Sequence, residues 1–262
     1  MRSIKGYQSD QPVGSERSTL ARVGLRPRKE PTTIDGVTYK VAENFSERCG
    51  AFHLVHHCYS ERGLSTPNGW GLRINARQLL PDSAVFIASE NGRVVSTLSI
   101  VQSRGMGLLL EREFGPEVDS LRNDGATLAE VTSLASLTMA SGRKKGFDVL
   151  LNLFRLVYAF SEFNGIDRLL IAVHPRHARF YESALGFQAI GPQRAYRGVL
   201  GQPAVACVHD RKRFQSGSCR LKEKLVDSRF ESWELTSQPI PPAELEYFAA
   251  AWHSLHFVSR AA

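Results

Sequence analysis

Short apolar runs alternate with helical segments between residues 127 and 190, and this alternation constrains the fold more than any other feature. TLAEVTSLASL (127–137) has the composition of a strand, and a long helical pattern follows it. RLLIAV (168–173) is continuously apolar, as buried parallel strands are, and PRHARFYESAL (175–185) predicts a short helix. Strand–helix–strand order over this length predicts βαβ units, which place parallel strands side by side.

Antiparallel pairing is predicted earlier in the chain. AVFIAS (84–89) and RVVSTLSIV (93–101) flank Asn91-Gly92, and Asn-Gly between two apolar runs is a strong hairpin signal. GVTYKVAE (36–43) alternates as a strand does, and Asn44 is placed to cap the helix that follows. The sheet is therefore expected to be mixed and flanked by helices, in an α/β (α+β) fold.

We divide the 262 residues into three parts. Residues 1–35 are rich in Ser, Arg, Pro and Gln without periodicity, which predicts a flexible basic arm. Residues 36–210 hold the predicted sheet and its helices. Residues 211–262 are predicted to be a basic linker followed by an amphipathic helix with Leu245, Phe248, Trp252 and Leu255 on one face.

Several classes of protein are disfavoured by the sequence. The longest apolar run, 149–163, is interrupted by polar residues and is shorter than the roughly 20 residues of a membrane span. Without a secretory signal, we expect a soluble cytoplasmic protein. The net charge is +7, but the basic stretches lack interleaved aromatic residues, so nucleic acid is not an expected partner. His53, His56 and His57 lack a third ligand of matching spacing, so no metal is expected.

Several motifs resemble a known family. The order of strand, basic glycine-containing loop, long helix and apolar strand, followed by Ala178-Arg179-Phe180-Tyr181-Glu182 and Gly186-Phe187, resembles the Gcn5-related N-acyltransferase (GNAT) fold. The segments LLLEREFGPEVDSLR, LAEVTSLA, AVHPRHARFYESALGF and GQPAVACVHD resemble the N-acyl amino acid synthases of the long-chain N-acyl-tyrosine synthase type, which are related to acyl-homoserine-lactone synthases. The resemblance covers roughly residues 37–210.

One loop departs from the common acetyltransferase pattern. That family holds the coenzyme A pyrophosphate with a [QR]-x-x-G-x-[GA] loop at a helix N-terminus, and the matching string here is Arg143-Lys144-Lys145-Gly146-Phe147-Asp148. A carboxylate at Asp148 repels a pyrophosphate. The resemblance implies instead an acyl-phosphopantetheine donor on acyl carrier protein, with coenzyme A as the alternative. Because carrier proteins are acidic, Arg143, Lys144 and Lys145 are candidate docking residues, and Arg211-Lys212-Arg213 is a second candidate cluster. A solvated basic helix start is the competing interpretation.

Glu130 is the candidate general base. It stands among apolar or small residues of a predicted strand, where 128, 130, 132 and 134 share one face. A carboxyl group there must be paired or have a raised pKa, as a base near neutral pH requires. The resemblance also implies a strand glutamate as base in this region. An ion pair with a neighbouring arginine is the structural alternative.

Three further residues are candidates at the ends of the later strands. The resemblance implies that Tyr181 lies near the departing sulfur as general acid, although it is also a plausible packing residue. His174 follows the buried strand 168–173 and is placed to relay the amine proton or to bind the amino acid carboxylate. Arg176 is a candidate for binding the same carboxylate. Helix capping and surface charge are the alternatives for His174 and Arg176.

Backbone N–H groups around Ser133 and Leu134 are the predicted oxyanion site. An apolar trench for a long acyl chain is predicted from Leu108 to Leu110, Phe114, Phe147, Leu150, Phe154 and Tyr158, although each is equally an ordinary core residue. No cysteine is expected near the catalytic strand, which favours direct transfer without an acyl-enzyme.

The sequence therefore predicts an N-acyltransferase that moves a long-chain fatty acyl group from acyl carrier protein to the amine of an amino acid. A coenzyme A-dependent N-acetyltransferase of a small amine and a non-catalytic GNAT-like binding module are the alternatives.

Overall fold

The computed structural model describes residues 29–123, 125–138, 143–227 and 229–257, without the side chains of Arg143, His256 and Phe257. The chain divides into two units, 1–30 and 31–262, and the fold lies in the second. Most of the predicted basic arm, up to Arg28, lies outside the described residues.

Nine strands in the described part of the chain form one mixed sheet, which confirms the predicted fold class. They are β1 (Thr33–Ile34), β2 (Val37–Val41), β3 (Ala84–Glu90), β4 (Arg93–Gln102), β5 (Leu128–Ser136), β6 (Arg168–Val173), β7 (Gln188–Ala189), β8 (Arg194–Tyr196) and β9 (Gln202–Asp210). The order across the sheet is β1-β2-β3-β4-β5-β6-β9-β7, and β8 also pairs with β9.

Seven α-helices are described. They are α1 (Phe45–Glu61), α2 (Glu111–Arg122), α3 (Arg143–Phe163), α4 (Pro175–Leu185), α5 (Arg211–Ser216), α6 (Lys222–Val226) and α7 (Pro242–Phe257). Asn44 caps α1 by accepting a hydrogen bond from the Glu47 N–H. Helix α2 contains Pro116 and is kinked at Phe114, whose φ of −125° is not helical.

The local signals for pairing in the sheet are confirmed. Asn91 and Gly92, between β3 and β4, have φ of 51° and 75°, the left-handed conformation that a tight hairpin requires. Strands β5 and β6 run parallel because α3 forms the crossover between them. The sheet continues from β6 to β9 with antiparallel pairing.

Helices cover both faces of the sheet. Leu169 and Ile171 of β6 pack in the core cluster that contains α3 and α4 side chains, such as Phe154 and Tyr181. Leu170, which points to the opposite face, packs with α2 residues. The two faces therefore carry separate cores, and β6 contributes to both.

The C-terminal segment packs on this core. Phe248 of α7 is 0% exposed and lies against Phe52 of α1, with ring centroids 5.2 Å apart. Leu245 is 38% exposed, so the buried face of α7 is narrower than the predicted one. At the other end of the unit, Thr33–Ile34 pair with β2, so strand structure begins before the predicted boundary at residue 35. No helix among the described residues is long and apolar enough to cross a membrane.

Candidate active site

Strands β5 and β6 separate in the middle of the sheet. The two strands pair in parallel from Leu128 to Glu130, and Glu130 is paired with Leu170. No residue of β5 beyond Glu130 is paired with β6, although β6 continues to Val173. The edge of β5 that faces β6 is therefore open from Val131 onward, and main-chain groups on such an edge are available to a ligand.

A β-bulge lies on the same strand. Thr97 pairs with Ala135 and Ser99 with Thr132, so Leu98 alone lies opposite Ser133 and Leu134. Ser133 has a φ of 57°, a left-handed conformation that is unfavourable for a residue with a side chain. Bulges of this kind bend a strand and redirect its groups, and they are frequent beside active sites. The predicted oxyanion residues Ser133 and Leu134 therefore lie at the bulge, where the strands diverge.

The bulge also corrects one expectation about the strand. Leu134 was predicted to share a face with Glu130, but it packs with Ala129 and Val131 on the opposite face. The additional residue shifts the alternation by one position, which moves the following side chains to the other face.

Glu130 is fully enclosed, with 1% exposure. The Leu110 N–H, at the start of α2, donates to Glu130 Oε2 at 3.0 Å. Burial raises the pKa of Glu130 to about 7, although the N–H groups of Leu110 and Leu109 and the more distant Arg77 act in the opposite direction. No arginine in the described ranges forms an ion pair with Glu130, so the structural partner of this carboxylate is the N-terminus of α2.

The raised pKa predicts how stability depends on pH. Between about pH 4.5 and 7 the folded protein holds a proton on Glu130 that the unfolded chain has lost, so stability falls as pH rises. Across this window the loss amounts to about 3 kcal/mol. We expect urea unfolding from pH 4 to 8 to show this loss in the wild type and its absence in Glu130→Gln. Parallel curves for both proteins would contradict the raised pKa.

Side chains from distant segments converge on Tyr196, a neighbour of Glu130. Tyr196 of β8 interacts electrostatically with Glu130, Glu113, Tyr59 and Arg73. We call Tyr59, Arg73, Glu113, Glu130 and Tyr196 the polar cluster. The Arg73 guanidinium lies over the Tyr59 ring, 4.5 Å from its centroid. One carboxylate oxygen of Glu113, Oε1, is buried without a hydrogen-bond partner, and burial raises the pKa of Glu113.

Ion pairs and backbone contacts hold these segments in place. Arg194 of β8 binds both carboxylate oxygens of Glu117, at 2.6 and 2.9 Å, and thereby fixes β8 against α2. Arg77 Nε donates to the Gly107 carbonyl at 2.7 Å, which positions the loop that presents Leu109 and Leu110 to Glu130. The sequence carries no local signal that predicts a place in this cluster for Tyr59, Arg73, Glu113 or Tyr196.

Tyr181 is buried on α4, in contact with the rings of Phe154 and Phe187 at 6.1 and 5.7 Å. Burial raises its pKa, so the phenol stays protonated near neutral pH, as a general acid requires. Tyr181 also interacts electrostatically with Tyr59, which in turn interacts with Tyr196 of the polar cluster.

The expectation that no cysteine lies near the catalytic strand is wrong, because Cys58 of α1 packs against Ala135 of β5. Burial raises the pKa of the Cys58 thiol. A second cysteine lies near Tyr181. Cys207 of β9 pairs with Ile171 of β6 and interacts electrostatically with Tyr181. Burial raises the pKa of the Cys207 thiol to about 11, so it remains protonated and is a poor nucleophile.

His174 and Arg176 lie at the carboxyl end of β6, as predicted. His174 is the N-cap of α4, and its Nδ1 accepts from the Arg176 N–H at 3.2 Å. Arg176 is exposed, and its Nε donates to His177 Nε2 at 3.0 Å. His174 therefore caps a helix and Arg176 lies at the surface, as the alternative interpretations state. The catalytic and substrate-binding roles of these two residues stay predictions.

The predicted acyl trench is divided by the sheet. Leu108, Leu110 and Phe114 lie in the α2 core, whereas Phe147, Leu150, Phe154 and Tyr158 lie in the α3 core on the opposite face. These residues do not line one continuous trench, because helical apolarity alone does not reveal which face of a sheet a helix covers. Phe154 remains the member of the set that contacts Tyr181.

The basic start of α3 presents two lysines whose side chains are described. Lys144 is exposed, and Lys145 Nζ lies 2.7 Å from Glu90 Oε1 of β3. The Arg143 side chain lies outside the described residues. Asp148 is exposed one turn into the helix.

The three histidines of α1 have separate partners. His53 Nδ1 donates to the Gly71 carbonyl at 2.7 Å, His56 Nε2 accepts from the Asn68 N–H at 3.2 Å, and His57 lies 3.5 Å from Glu61. Within the described ranges no group of three His, Cys, Asp or Glu side chains could hold a metal ion.

Comparison with known families identifies the class of protein that this fold and site define. The family profile of N-acyl amino acid synthase FeeM matches residues 50–210. The chain belongs to this family and is an acyltransferase of the N-acyltransferase type. No curated protein sequence matches the chain.

Solved structures share the fold. FeeM, an N-acyl amino acid synthase from uncultured soil microbes, superposes with a TM-score of 0.63 at 24% identity, covering 72% of this chain and 96% of its own. The acyl-homoserine lactone synthase LasI gives 0.50 at 16% identity, over 66% of this chain and 88% of its own. BjaI is a coenzyme A-dependent acyl-homoserine lactone synthase solved with SAM and isopentyl-CoA. It superposes with a TM-score of 0.51 at 16% identity, covering 75% of this chain and 89% of its own.

Proposed function

We propose that this acyltransferase moves a long-chain fatty acyl group from acyl carrier protein directly to the amine of an amino acid, with Glu130 as general base. The observation that carries the proposal is the buried Glu130 carboxyl with a pKa of about 7, located where β5 and β6 diverge. A base with this pKa is partly ionised at neutral pH and can take a proton from an amine.

The proposed reaction uses groups from two elements, β5 and α4. Glu130 removes a proton from the amine, whose nitrogen attacks the thioester carbonyl carbon. Backbone N–H groups near Ser133 and Leu134 stabilise the oxyanion of the tetrahedral intermediate. When the intermediate collapses, the carbon–sulfur bond breaks and the Tyr181 phenol gives its proton to the departing thiolate. The products are an amide and a free thiol.

Direct transfer is supported by the state of Cys207. An acyl-enzyme on a cysteine needs a thiolate, but burial raises the pKa of Cys207 to about 11 and also raises the pKa of Cys58.

Acyl carrier protein is proposed as the donor because of the basic start of α3 and the carboxylate of Asp148, since the open edge of β5 suits the pantetheine arm of either donor. The two amides of a phosphopantetheine arm can hydrogen-bond to the unpaired edge beyond Glu130. Asp148 disfavours the pyrophosphate of coenzyme A, whereas the arm on a carrier protein has a single phosphate. A carrier protein as donor would place the enzyme in the cytoplasm.

A donor competition assay tests this proposal. Purified protein is given one amino acid and equal concentrations of long-chain acyl-carrier protein and the matching acyl-coenzyme A, and the N-acyl product is followed by mass spectrometry with differently labelled acyl chains. We expect product mainly from the carrier protein. Product mainly from coenzyme A, the alternative donor, would overturn the assignment of the donor but not that of the reaction.

Charge reversal at Lys144 is expected to weaken docking of the carrier protein. Lys144→Glu replaces an exposed positive charge with a negative one, so the dissociation constant should rise several-fold at low salt and much less at high salt. Lys224→Glu is the control, because Lys224 lies beside Arg155, about three turns further along α3. A salt-independent effect at Lys144, or an equal effect at Lys224, would argue against the docking surface.

Arg73 is proposed to bind the amino acid carboxylate. Its guanidinium interacts with Tyr196 of the polar cluster, whereas Arg176, the candidate from the sequence, is exposed on α4. Arg73→Gln should raise the KM for the amino acid about tenfold or more, since a charged hydrogen bond contributes about 1.5–3 kcal/mol. Measuring both amino acid and donor KM for Arg73→Gln and Arg176→Gln separates the two candidates. A larger amino acid effect at Arg176 would restore the earlier assignment.

A further inference from the structure

A small cavity of about 20 Å³ lies beneath the point where β5 and β6 diverge. Val131 of β5, Leu169 of β6, Phe154 of α3, Phe187 and His209 are among the residues that line it. Tyr158 also borders it, but its hydroxyl hydrogen-bonds to Gln215. The lining is therefore apolar apart from the His209 ring.

His209 places an unpaired acceptor in this lining. The residue is 4% exposed, and Nδ1 lies 2.9 Å from the Leu185 carbonyl oxygen. Since a carbonyl only accepts, Nδ1 carries the proton, and burial lowers the pKa of the ring so that it stays neutral. Nε2 therefore presents a lone pair, and it is buried without a hydrogen-bond partner.

Water is a poor partner for this nitrogen. A cavity of this size has room for about one water molecule, but a buried water is usually held by two to four polar groups. Of the two polar side chains in the lining, Tyr158 already has Gln215 as its hydrogen-bond partner, and His209 Nε2 is left without one. A hydroxyl group attached to an apolar chain satisfies the acceptor and the apolar walls together.

Packed aromatic rings lie between the cavity and Tyr181. The Tyr181 ring contacts Phe187 at 5.7 Å, and Phe187 contacts His209 at 5.3 Å. Phe154, which also contacts Tyr181, forms another wall of the cavity. A chain attached at a thioester near Tyr181 would reach His209 after several carbons if the Phe154 and Phe187 rings separate.

We propose that the cavity receives a hydroxyl group carried on the middle or distal part of the donor acyl chain, and that His209 Nε2 accepts its hydrogen bond. The enzyme is then selective for hydroxylated fatty acyl donors. This inference rests on the proposed function, because it assigns the path beyond Tyr181 to the acyl chain.

The test compares acyl thioesters of acyl carrier protein that have one chain length and carry the hydroxyl at successive carbons, with the unsubstituted chain as reference. We expect kcat/KM to be at least tenfold higher for one or two adjacent hydroxyl positions than for the unsubstituted chain. The reason is that an apolar chain leaves the buried acceptor without a hydrogen-bond partner, which is unfavourable. In His209→Phe this ratio should fall close to one, whereas His57→Ala, a change at an exposed histidine of α1, should keep it.

A measurement on the wild-type protein covers the case in which His209→Phe does not fold. Nitrogen NMR of histidine-labelled protein should show the His209 Nε2 signal moving when the free hydroxylated fatty acid is added, but not the unsubstituted acid. Equal use of all donors by the wild type would overturn the hydroxyl preference and leave the proposed function standing. If no donor is used at all, the proposed function fails. If, in addition, the His209 Nε2 signal does not shift on addition of the hydroxylated fatty acid, the proposed hydroxyl site at His209 fails as well.

Discussion

Replacing Glu130 with glutamine should lower turnover by about 10²–10⁴-fold, the usual contribution of a general base. The amide cannot take the amine proton, but its oxygen can still accept the hydrogen bond from the Leu110 N–H. The substitution therefore removes the proposed base and keeps the contact that holds the start of α2.

The pH profile gives this prediction its specific signature. Wild-type kcat/KM should increase through about pH 7 as Glu130 ionises, and Glu130→Gln should lack that limb. Circular dichroism and binding of the acyl-carrier protein serve as controls and should stay near wild-type values. Glu130→Ala, which loses the Leu110 contact too, measures the structural role separately. Unchanged turnover in Glu130→Gln would remove Glu130 from the base role.

Replacing Phe248 with alanine should destabilise the protein by about 3–5 kcal/mol, the range for a buried phenylalanine. Phe248 is 0% exposed, and besides Phe52 it stacks on Phe45 at 5.5 Å, so its removal leaves a cavity between α7 and α1. Urea unfolding should show the loss as a lower midpoint.

Leu245→Ala is the matched control for this change. Leu245 lies on the same helix, one turn before Phe248, and is 38% exposed, so its substitution should shift stability by about 0.5 kcal/mol or less. Equal effects at the two positions, or little effect at Phe248, would contradict the packing of α7 against α1.

Local and periodic features of the sequence were enough to predict much of the fold. The Asn91-Gly92 hairpin is encoded by two adjacent residues that tolerate left-handed backbone. The parallel pair β5 and β6 follows from an apolar strand on each side of a long helix. Glu130 could be predicted to be buried because it lies within an otherwise apolar strand, and it is 1% exposed in the structure.

The rest of the site depends on information that no single segment contains. Four residues of the polar cluster come from four different segments, and only the tertiary fold brings them together. They are Tyr59 near the end of α1, Arg73 in a loop, Glu113 in the kinked helix α2 and Tyr196 in the short strand β8. The trench prediction was wrong because apolar periodicity does not specify which side of the sheet a helix covers. The face of Leu134 was wrong because the bulge adds one residue to β5 without a recognisable sequence signal.

Mass spectrometry of lipid extracts from a bacterial host that expresses this chain shows directly whether the protein makes N-acyl amino acids. Extracts from hosts that carry the empty vector or Glu130→Gln serve as controls. We expect new N-acyl amino acids in the wild-type extract, little or none of them with Glu130→Gln, and none with the vector; their fragments would identify both the amino acid and the acyl chain. Absence of such products while the wild-type protein is folded would contradict the account.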